Sequence, residues 1–186
     1  MEKNNGFICL IMGRSGSGKT TLALNLEKRY GYTQIQSYTT RPKRYGGEIG
    51  HIFVDKQTFN SLTDMVAYTE YNGYQYCATS AQVEENQIYV IDPDGIIEFA
   101  QRYKGDKKVI VIYLHTSFSI RNGRMLSRGD GTANILKRNE TDRRSFSEEK
   151  INKITELYPH FYTVNASNWA EAVCDEVSNI LLNEEK

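Results

Sequence analysis

The sequence predicts an α/β fold in which a parallel sheet is covered by helices on both faces. Strand-like runs at 7–12, 34–37, 87–91 and 108–114 alternate with helical patterns, an order that is typical of parallel sheets. The run at 108–114 is almost continuously apolar, as expected of a strand that is buried on both sides. With 186 residues, the chain is long enough for one domain of ordinary size.

The predicted helices lie between and after these strands. They cover residues 19–29, 94–103, 117–127, 132–146, 147–157 and 168–182. Residues 38–83 interrupt the alternation with aromatic side chains, short strand-like runs and glycine turns, so we interpret them as a module inserted between core elements. A second break at 127–132 separates two helices within a basic segment and is interpreted as a mobile connection.

Composition excludes several classes of function. The 23 basic and 23 acidic residues give a formal net charge of zero, so we expect no nucleic-acid partner and no anionic membrane surface. The cysteines are widely spaced and follow no metal-ligand pattern, and Cys9 and Cys174 are predicted to be buried thiols. Because no signal-peptide core and no apolar run of membrane-spanning length is visible, we expect a cytoplasmic protein without a membrane partner.

The strongest single signal is a glycine-rich segment between the first strand and the first helix. Residues 13–20 match the pattern G-x-x-x-x-G-K-[ST] of a phosphate-binding loop, or P-loop. Its glycines let backbone N–H groups converge on phosphate oxygens. Lys19 would reach the β- and γ-phosphates, and the Thr20 hydroxyl would hold Mg²⁺. The predicted ATP-binding residues of this segment are Gly13, Arg14, Ser15, Gly16, Ser17, Gly18, Lys19, Thr20 and Thr21.

A second candidate anion site is the basic segment that follows Thr39 and Thr40. Arg41, Lys43 and Arg44 fall within four residues, and Pro42 stiffens the turn, so two arginines could converge on one anion. Taken alone, the segment is also compatible with a solvated basic turn. Next to a P-loop, it favours a second substrate that carries a phosphate.

The chain resembles guanylate kinase, a P-loop nucleoside monophosphate kinase, over almost its whole length. The P-loop is followed, in the family's order and approximate spacing, by residues 37–44, 72–76, 91–95 and 124–129. The most specific pieces are TTRP-x-R and R-x-x-x-R-G, because neither belongs to P-loop proteins generally. The resemblance implies a P-loop NTPase fold with a five-stranded parallel sheet flanked by helices.

The resemblance also implies a division of the chain and a role for each motif residue. It predicts one domain, with a core of 1–36, 84–120 and 141–186, a substrate-binding module of 37–83 and a lid of 121–140. The implied catalytic residues are Lys19, Arg44, Asp92, Arg124, Arg128 and Arg138; the implied acceptor-binding residues are Ser37, Arg41, Arg44, His51, Tyr76, Asp92 and Arg138; and Arg128 and Asn165 join the P-loop in binding ATP. The three lid arginines would clamp the transferring phosphoryl group.

The chain departs from the family where the acceptor base is read. Guanylate kinases place a guanine-reading glutamate where this chain has Ala67, and a small hydroxyl residue where it has Ala78. Glu70 lies three residues after Ala67, which in a strand puts it on the opposite face. The loop after the TTRP segment is also shorter, so that His51 or Phe53 falls near the place of a phosphate-binding tyrosine, and we favour His51. The phosphate-binding residues are therefore retained, while guanine recognition is weakened.

We interpret the chain as an ATP-dependent kinase whose partners are small-molecule nucleotides. The favoured acceptor is GMP or dGMP, and the expected oligomeric state is a monomer or a homodimer. Ribose 1,5-bisphosphate kinase, which resembles guanylate kinase, and another nucleoside monophosphate kinase on the same fold are the alternatives. A non-catalytic guanylate-kinase-like interaction module is disfavoured, because Lys19 and the lid arginines are present.

Overall fold

The computed structural model describes residues 6–43, 46–71 and 73–185. In chain order, the elements are β1 (Phe7–Gly13), α1 (Lys19–Tyr30), β2 (Ser37–Thr39), β3 (His51–Phe53), α2 (Lys56–Asn60), β4 (Met65–Tyr71), β5 (Tyr74–Thr79), α3 (Ser80–Glu85), β6 (Ile88–Val90), α4 (Pro93–Arg102), β7 (Lys108–His115), α5 (Phe118–Ser127), α6 (Thr132–Ser145), α7 (Glu148–Leu157), β8 (Phe161–Asn165) and α8 (Ala170–Glu184). The strands form two separate four-stranded sheets.

The core is the parallel sheet with strand order β6-β1-β7-β8. All seven residues of β1 are buried, and their side chains alternate between two apolar clusters. Cys9 and Ile11 pack with α1 and α8 on one face, while Ile8, Leu10 and Met12 pack with α4 and α7 on the other. Since burial of one large apolar side chain contributes about 1.5–3 kcal/mol, β1 is a firm anchor for the loop that follows it.

The predicted strand at 34–37 differs from what is found. Within the described residues, the core sheet has four strands, and only Gln34 makes a parallel bridge, to Ile88, in the place of a fifth. The Ile35 N–H donates to the Ile88 carbonyl at 2.8 Å, but Ser37 already belongs to β2 of the second sheet. The chain leaves the core after one pairing because its next residues pair with β3 and β5 instead.

The last core strand, β8, is absent from the sequence-based prediction. Only Val164 of its five residues is fully buried, and Thr163 and Asn165 are exposed, so the strand lacks the continuous apolar run that identifies a buried strand. β8 pairs in parallel with β7, from Val111 opposite Phe161 to His115 opposite Asn165. This pairing carries Asn165 to the same edge of the sheet as the end of β1.

The six predicted helices are confirmed, with ends within two residues of those expected. Their boundaries follow local capping. The Asp92 side chain accepts the N–H of Gly95 at the start of α4, and the Ser147 side chain accepts the N–H of Lys150 at the start of α7. Gly31 ends α1 in the left-handed conformation.

The second sheet, with strand order β3-β2-β5-β4, lies within the segment that the sequence predicts as an inserted module. β2 and β3 pair in parallel, whereas β5 pairs antiparallel with both β2 and β4. Two short helices, α2 and α3, complete the module, so the prediction of short strands and turns is correct but omits them. The buried residues Val66, Ala67 and Ala78 join the core cluster below α4, which fixes the module against the main sheet.

Two further expectations concern membranes and thiols. In the described part of the chain, no helix combines the length and apolarity required to cross a bilayer, and the longest, α8, has 15 residues. The thiols of Cys9, Cys77 and Cys174 are free and buried, as predicted for two of them. Burial raises the pKa of the Cys9 thiol, which makes it unreactive.

Candidate active site

The P-loop joins the end of β1 to the start of α1. Gly16 and Gly18 both have positive φ, at 77° and 99°, which a residue with a side chain adopts only under strain. A Cβ at Gly16 would also lie 2.5 Å from the Arg121 carbonyl oxygen. These two glycines therefore allow the loop to turn its backbone N–H groups inward beside the helix N-terminus, as an anion site requires.

Lys19 lies at the N-terminus of α1, half-buried below the loop. Its ammonium group donates to the Gly13 carbonyl and, at 3.3 Å, to the Arg14 carbonyl. Burial lowers the pKa of Lys19 from 10.5 to about 8, partly opposed by the nearby carboxylates of Asp142 and Asp92. The lysine is thus a cation held at the loop, and it loses its proton around pH 8 instead of above pH 10.

The three predicted lid arginines converge on the P-loop. Arg124 donates to the Ser17 carbonyl at 3.3 Å and to the Ala166 carbonyl at 2.9 Å. Arg128 pairs with Asp130, and Arg138 lies 3.7 Å from the same carboxylate. All three line one groove along the loop, together with Ser15, Gly16, Gly18, Lys19, Thr20 and Thr21. The structure therefore brings together charges that the sequence separates by more than a hundred residues.

A deep cavity opens between the P-loop and the second sheet. Its walls include the predicted residues Ser37, His51, Tyr76, Asp92 and Arg138, together with Gly13, Ser15, Lys19, Ala67, Thr69 and Tyr71. Ser15, Lys19 and Arg138 line this cavity and the P-loop groove alike. The two spaces therefore meet at Lys19 and Arg138, where a group could pass from one bound molecule to another.

Asp92 lies two residues after β6, as the N-cap of α4, and is oriented by two hydrogen bonds. One carboxylate oxygen accepts the Gly95 N–H at 2.8 Å, and the other accepts the Thr69 hydroxyl at 3.0 Å. Burial raises the pKa of Asp92 above its ordinary value, although both hydrogen bonds act in the opposite direction. The carboxyl is thus fixed in the cavity wall between β4 and α4.

His51 occupies the cavity, as the sequence suggests. Ser37 and His51 are opposite each other in the parallel β2–β3 pair, and Ser37 Oγ lies 2.9 Å from His51 Nδ1. The imidazole meets the ring of Tyr76 edge-on, with centroids 5.7 Å apart. Three predicted acceptor-binding residues therefore form one contiguous polar wall.

The environment of Arg41 differs from a simple phosphate site. Its guanidinium forms a buried bidentate ion pair with Glu48, and one of its amino groups also donates to the Pro42 carbonyl. Arg41 still lines a groove between Tyr76 and Arg138. Its predicted partner Arg44, and Asn72 of the resemblance, lie outside the described residues.

The positions predicted to face the acceptor base are apolar. Ala67 and Ala78 are paired across the β4–β5 hairpin, and both are buried, with Ala67 in the cavity wall. Glu70 lies on the other face of β4, where it accepts the Tyr68 hydroxyl at 2.6 Å. No charged group thus extends from this hairpin face into the cavity among the described β4 and β5 residues.

A third groove runs from the P-loop towards α8. Ser17, Gly18, Thr21, Arg124, Ala166 and Asn168 are among its lining residues. Asn165 precedes this lining, and its side-chain oxygen accepts the Ser167 N–H at 3.1 Å. Arg14, assigned to ATP by its place in the motif, instead donates to the Phe146 carbonyl at 3.2 Å and stacks on that ring. Only its backbone belongs to the loop.

The described residues hold no cluster of three or more His, Cys, Asp or Glu side chains suited to a metal ion. Thr20 is exposed at the first turn of α1, beside Lys19 in the P-loop groove. Mg²⁺ is commonly held by substrate phosphates and water with few protein ligands. The chain at this point is compatible with such an ion, held through the Thr20 hydroxyl.

Sequence reasoning missed three charged residues that shape the site. Glu48 holds Arg41, and Arg121 and Asp142 contact Ser15 of the P-loop. Glu48 follows two glycines in an irregular segment, and the other two lie in helices with the charge pattern of a solvated face. No local signal distinguishes them, because their partners come from distant parts of the chain.

Curated proteins and solved structures give one consistent comparison. The chain is 24% identical over 194 residues to the guanylate kinase of Legionella pneumophila (strain Paris), an alignment that covers 98% of this chain and 89% of that protein. It is 30% identical over 152 residues to a guanylate kinase of Thermus thermophilus, covering 75% of this chain and 67% of that protein. No protein-family model matches the chain.

The fold agrees as well. The crystal structure of guanylate kinase from Anaplasma phagocytophilum matches with a TM-score of 0.64 at 22% identity, covering 97% of this chain and 86% of that one. The helix-flanked parallel sheet is therefore the fold of that structure. The predicted resemblance is confirmed: this chain belongs to the guanylate kinase family.

Proposed function

We propose that the protein transfers the γ-phosphoryl group of ATP to a nucleoside monophosphate, with GMP or dGMP as the acceptor. The observation that carries this proposal is the meeting of two spaces at Lys19 and Arg138. One space follows the P-loop, and the other extends between the P-loop and the second sheet. A triphosphate in the first and a monophosphate in the second would place donor and acceptor on either side of two cations.

The chain's cations would supply most of the catalysis. Phosphoryl transfer needs little covalent help, but it needs alignment of the two phosphates and stabilisation of charge on the equatorial oxygens. We assign Lys19 to the β- and γ-phosphates, and Arg124, Arg128 and Arg138 to the transferring group. Arg128, which now pairs with Asp130, would have to exchange that contact for one with phosphate.

The acceptor would be held by the polar wall of the cavity. We assign Ser37, Arg41, His51 and Tyr76 to its phosphate and adjoining groups, with Arg44 as a further phosphate ligand. The Nε of Arg41 is a buried donor with no hydrogen-bond partner among the described residues. The bidentate pair with Glu48 therefore leaves one guanidinium donor unused, and an anion would reach it only if the surrounding side chains moved.

Asp92 and Thr20 would act at the metal. A bound Mg²⁺ would supply positive charge to neutralise the charge that develops on the phosphate oxygens. Thr20 would hold the ion through its hydroxyl. Asp92, fixed by Thr69 and Gly95, would orient the acceptor and the water around the ion. The adenine of ATP would lie towards Asn165 in the groove that runs to α8.

The division into domains follows the same assignment. Residues 37–83 would bind the acceptor, and 121–140 would form the lid that closes over both phosphates and excludes water. The relatives compared above are named guanylate kinases, so the ribose 1,5-bisphosphate and non-catalytic alternatives are not favoured. A cytoplasmic location and a monomer or homodimer stay predictions of the sequence.

Product analysis tests this function directly. Purified protein, ATP, Mg²⁺ and GMP are incubated, and the phosphorus NMR spectrum is followed. We expect ADP and GDP to appear in equal amounts. ADP with inorganic phosphate and unchanged GMP would instead identify an ATPase and refute the transfer.

A further inference from the structure

A buried ion pair lies against the P-loop without a role in the phosphate-binding scheme. Arg121 belongs to α5 and Asp142 to α6, and Arg121 Nη1 lies 3.6 Å from Asp142 Oδ2. The two side chains are only 4% and 8% exposed. A buried ion pair is seldom worth more to stability than a well-packed apolar pair, so its location calls for another explanation.

Both members of the pair hold the same P-loop residue, Ser15. Its backbone N–H donates to Asp142 Oδ2 at 2.7 Å, and its hydroxyl donates to Oδ1 at 3.3 Å. Its carbonyl accepts from Arg121 Nη1 at 3.3 Å. Hydrogen bonds to charged groups are stronger than neutral ones, and here they fix the main-chain donor, the main-chain acceptor and the side chain of one residue.

The pair is itself fixed by the surrounding backbone. Arg121 Nε donates to the Thr116 carbonyl at 3.3 Å, and its Nη1 also reaches the Asn139 side chain. The Arg121 backbone packs so closely on Gly16 that a Cβ there would be 2.5 Å from its carbonyl oxygen. α5 and α6 thus determine the path of the loop at two consecutive residues, Ser15 and Gly16.

We propose that Arg121 and Asp142 are positioning residues that fix Ser15 and thereby hold the P-loop in its phosphate-binding shape before ATP arrives. This role rests on the proposed function, since it presumes that the loop binds ATP. A loop ordered in advance loses less conformational entropy on binding. What the charged pair adds over an apolar pair is the set of hydrogen bonds to Ser15.

An opposite role for Asp142, as a competitor of phosphate, makes the proposal testable. Asp142 could compete with a phosphate for the Ser15 N–H, in which case its removal would tighten ATP binding. Arg121 offsets the charge of Asp142, so removing both leaves the net charge of the loop's surroundings unchanged. A paired substitution therefore separates positioning from charge.

The experiment measures ATP affinity by calorimetry without acceptor, first for the wild type and then for R121L/D142A. We expect the paired variant to remain folded, because no buried charge is orphaned, and to bind ATP about tenfold more weakly, the equivalent of one lost charged hydrogen bond. D142N leaves Arg121 without a charged partner but retains an oxygen for the Ser15 N–H, so the folded variant should stay within about threefold. E140A removes a carboxylate from the same helix, but one that pairs with the exposed Arg143 and Arg144; it is the matched control, with affinity near that of the wild type.

Unchanged or tighter ATP binding in a folded R121L/D142A variant would overturn the proposal, as would an equal loss in D142N. A wild type that does not bind ATP would refute the proposed function, and this role with it. Hydrogen exchange of the Ser15 amide in the nucleotide-free wild type is a test that needs no variant. We expect slow exchange; exchange at the rate of an exposed loop would overturn the proposal.

Discussion

Arg41 and Glu48 form a bidentate ion pair between β2 and β3, with Nη2 2.8 Å from Oε1 and Nη1 3.2 Å from Oε2. Both side chains are nearly buried, at 8% and 7% exposure. The guanidinium also lies over the Phe53 ring, 5.2 Å from its centroid. Glu48 therefore orients the arginine that the proposed mechanism assigns to the acceptor phosphate.

Glu48→Ala is expected to lower both stability and acceptor affinity. It leaves a buried guanidinium uncompensated, which costs about 3 kcal/mol of unfolding free energy, and it removes the group that orients Arg41. Urea denaturation and the KM for GMP measure the two effects, and the KM for ATP should not change. Glu98→Ala, at a partly exposed pair with Arg102, is the control and should cost under about 1 kcal/mol. Equal costs for both variants would contradict the interpretation.

ATP binding should weaken as the pH rises above 8. The Lys19 pKa of about 8 means that the free protein loses this positive charge through that range, while the phosphates favour the charged form. The ATP dissociation constant should therefore be flat near pH 7 and rise towards about tenfold per pH unit above the pKa. Calorimetric titrations over about 1.5 pH units on either side of this pKa, from roughly pH 6.5 to 9.5, check the prediction. A constant affinity would exclude Lys19 as the titrating group.

Ala67→Glu should sharpen the preference for GMP over AMP. The new carboxylate would face the cavity and accept the N1–H and amino group of guanine, which adenine cannot match at both positions. Because a hydrogen bond to a charged group contributes about 1.5–3 kcal/mol, the ratio of kcat/KM values should rise by about tenfold or more. Glu70→Gln, on the opposite face of β4, should leave the ratio unchanged. An unaltered ratio in Ala67→Glu would show that residue 67 does not face the base.

Arg138→Ala should reduce kcat with little effect on folding. Arg138 lies where the two cavities meet, and loss of one cation at a transferring phosphoryl group typically costs about 10²–10³-fold. Arg143→Ala is a matched control on the same helix, because Arg143 is 77% exposed and pairs only weakly with Glu140. In steady-state kinetics, the kcat of Arg138→Ala should be lower than that of Arg143→Ala by about this factor. Similar kcat values for the two variants would remove Arg138 from the mechanism.

Much of the fold could be predicted because its signals are local. The P-loop depends on adjacent residues, and the helices show an apolar periodicity that can be read without knowing their tertiary contacts. The predicted core strand at 34–37 is longer than the single pairing found at Gln34, because β propensity does not show which sheet a strand joins. β8 cannot be predicted in the same way because its partly exposed residues become a strand only by pairing with β7.

The site could be predicted only where the motifs extend to it. Ser37, His51 and Tyr76 lie together. Ser37 and Tyr76 belong to motifs of the family, whereas His51 is favoured over Phe53 for the place that the shorter loop leaves. The contacts of Asp142 and Arg121 with Ser15 join residues more than a hundred positions apart. Their helical charge pattern is the same as that of a solvated surface, so only packing identifies them as buried.

The most direct test of phosphoryl transfer is a coupled ADP-release assay with ATP, Mg²⁺ and a panel of acceptors, namely GMP, dGMP, AMP, CMP, UMP, IMP and ribose 1,5-bisphosphate. We expect acceptor-dependent ADP release that is fastest with GMP or dGMP, and a loss of several orders of magnitude in a folded Lys19→Ala variant. No acceptor-dependent release, or full activity in Lys19→Ala, would contradict the kinase function. Preference for ribose 1,5-bisphosphate would contradict the nucleotide acceptor.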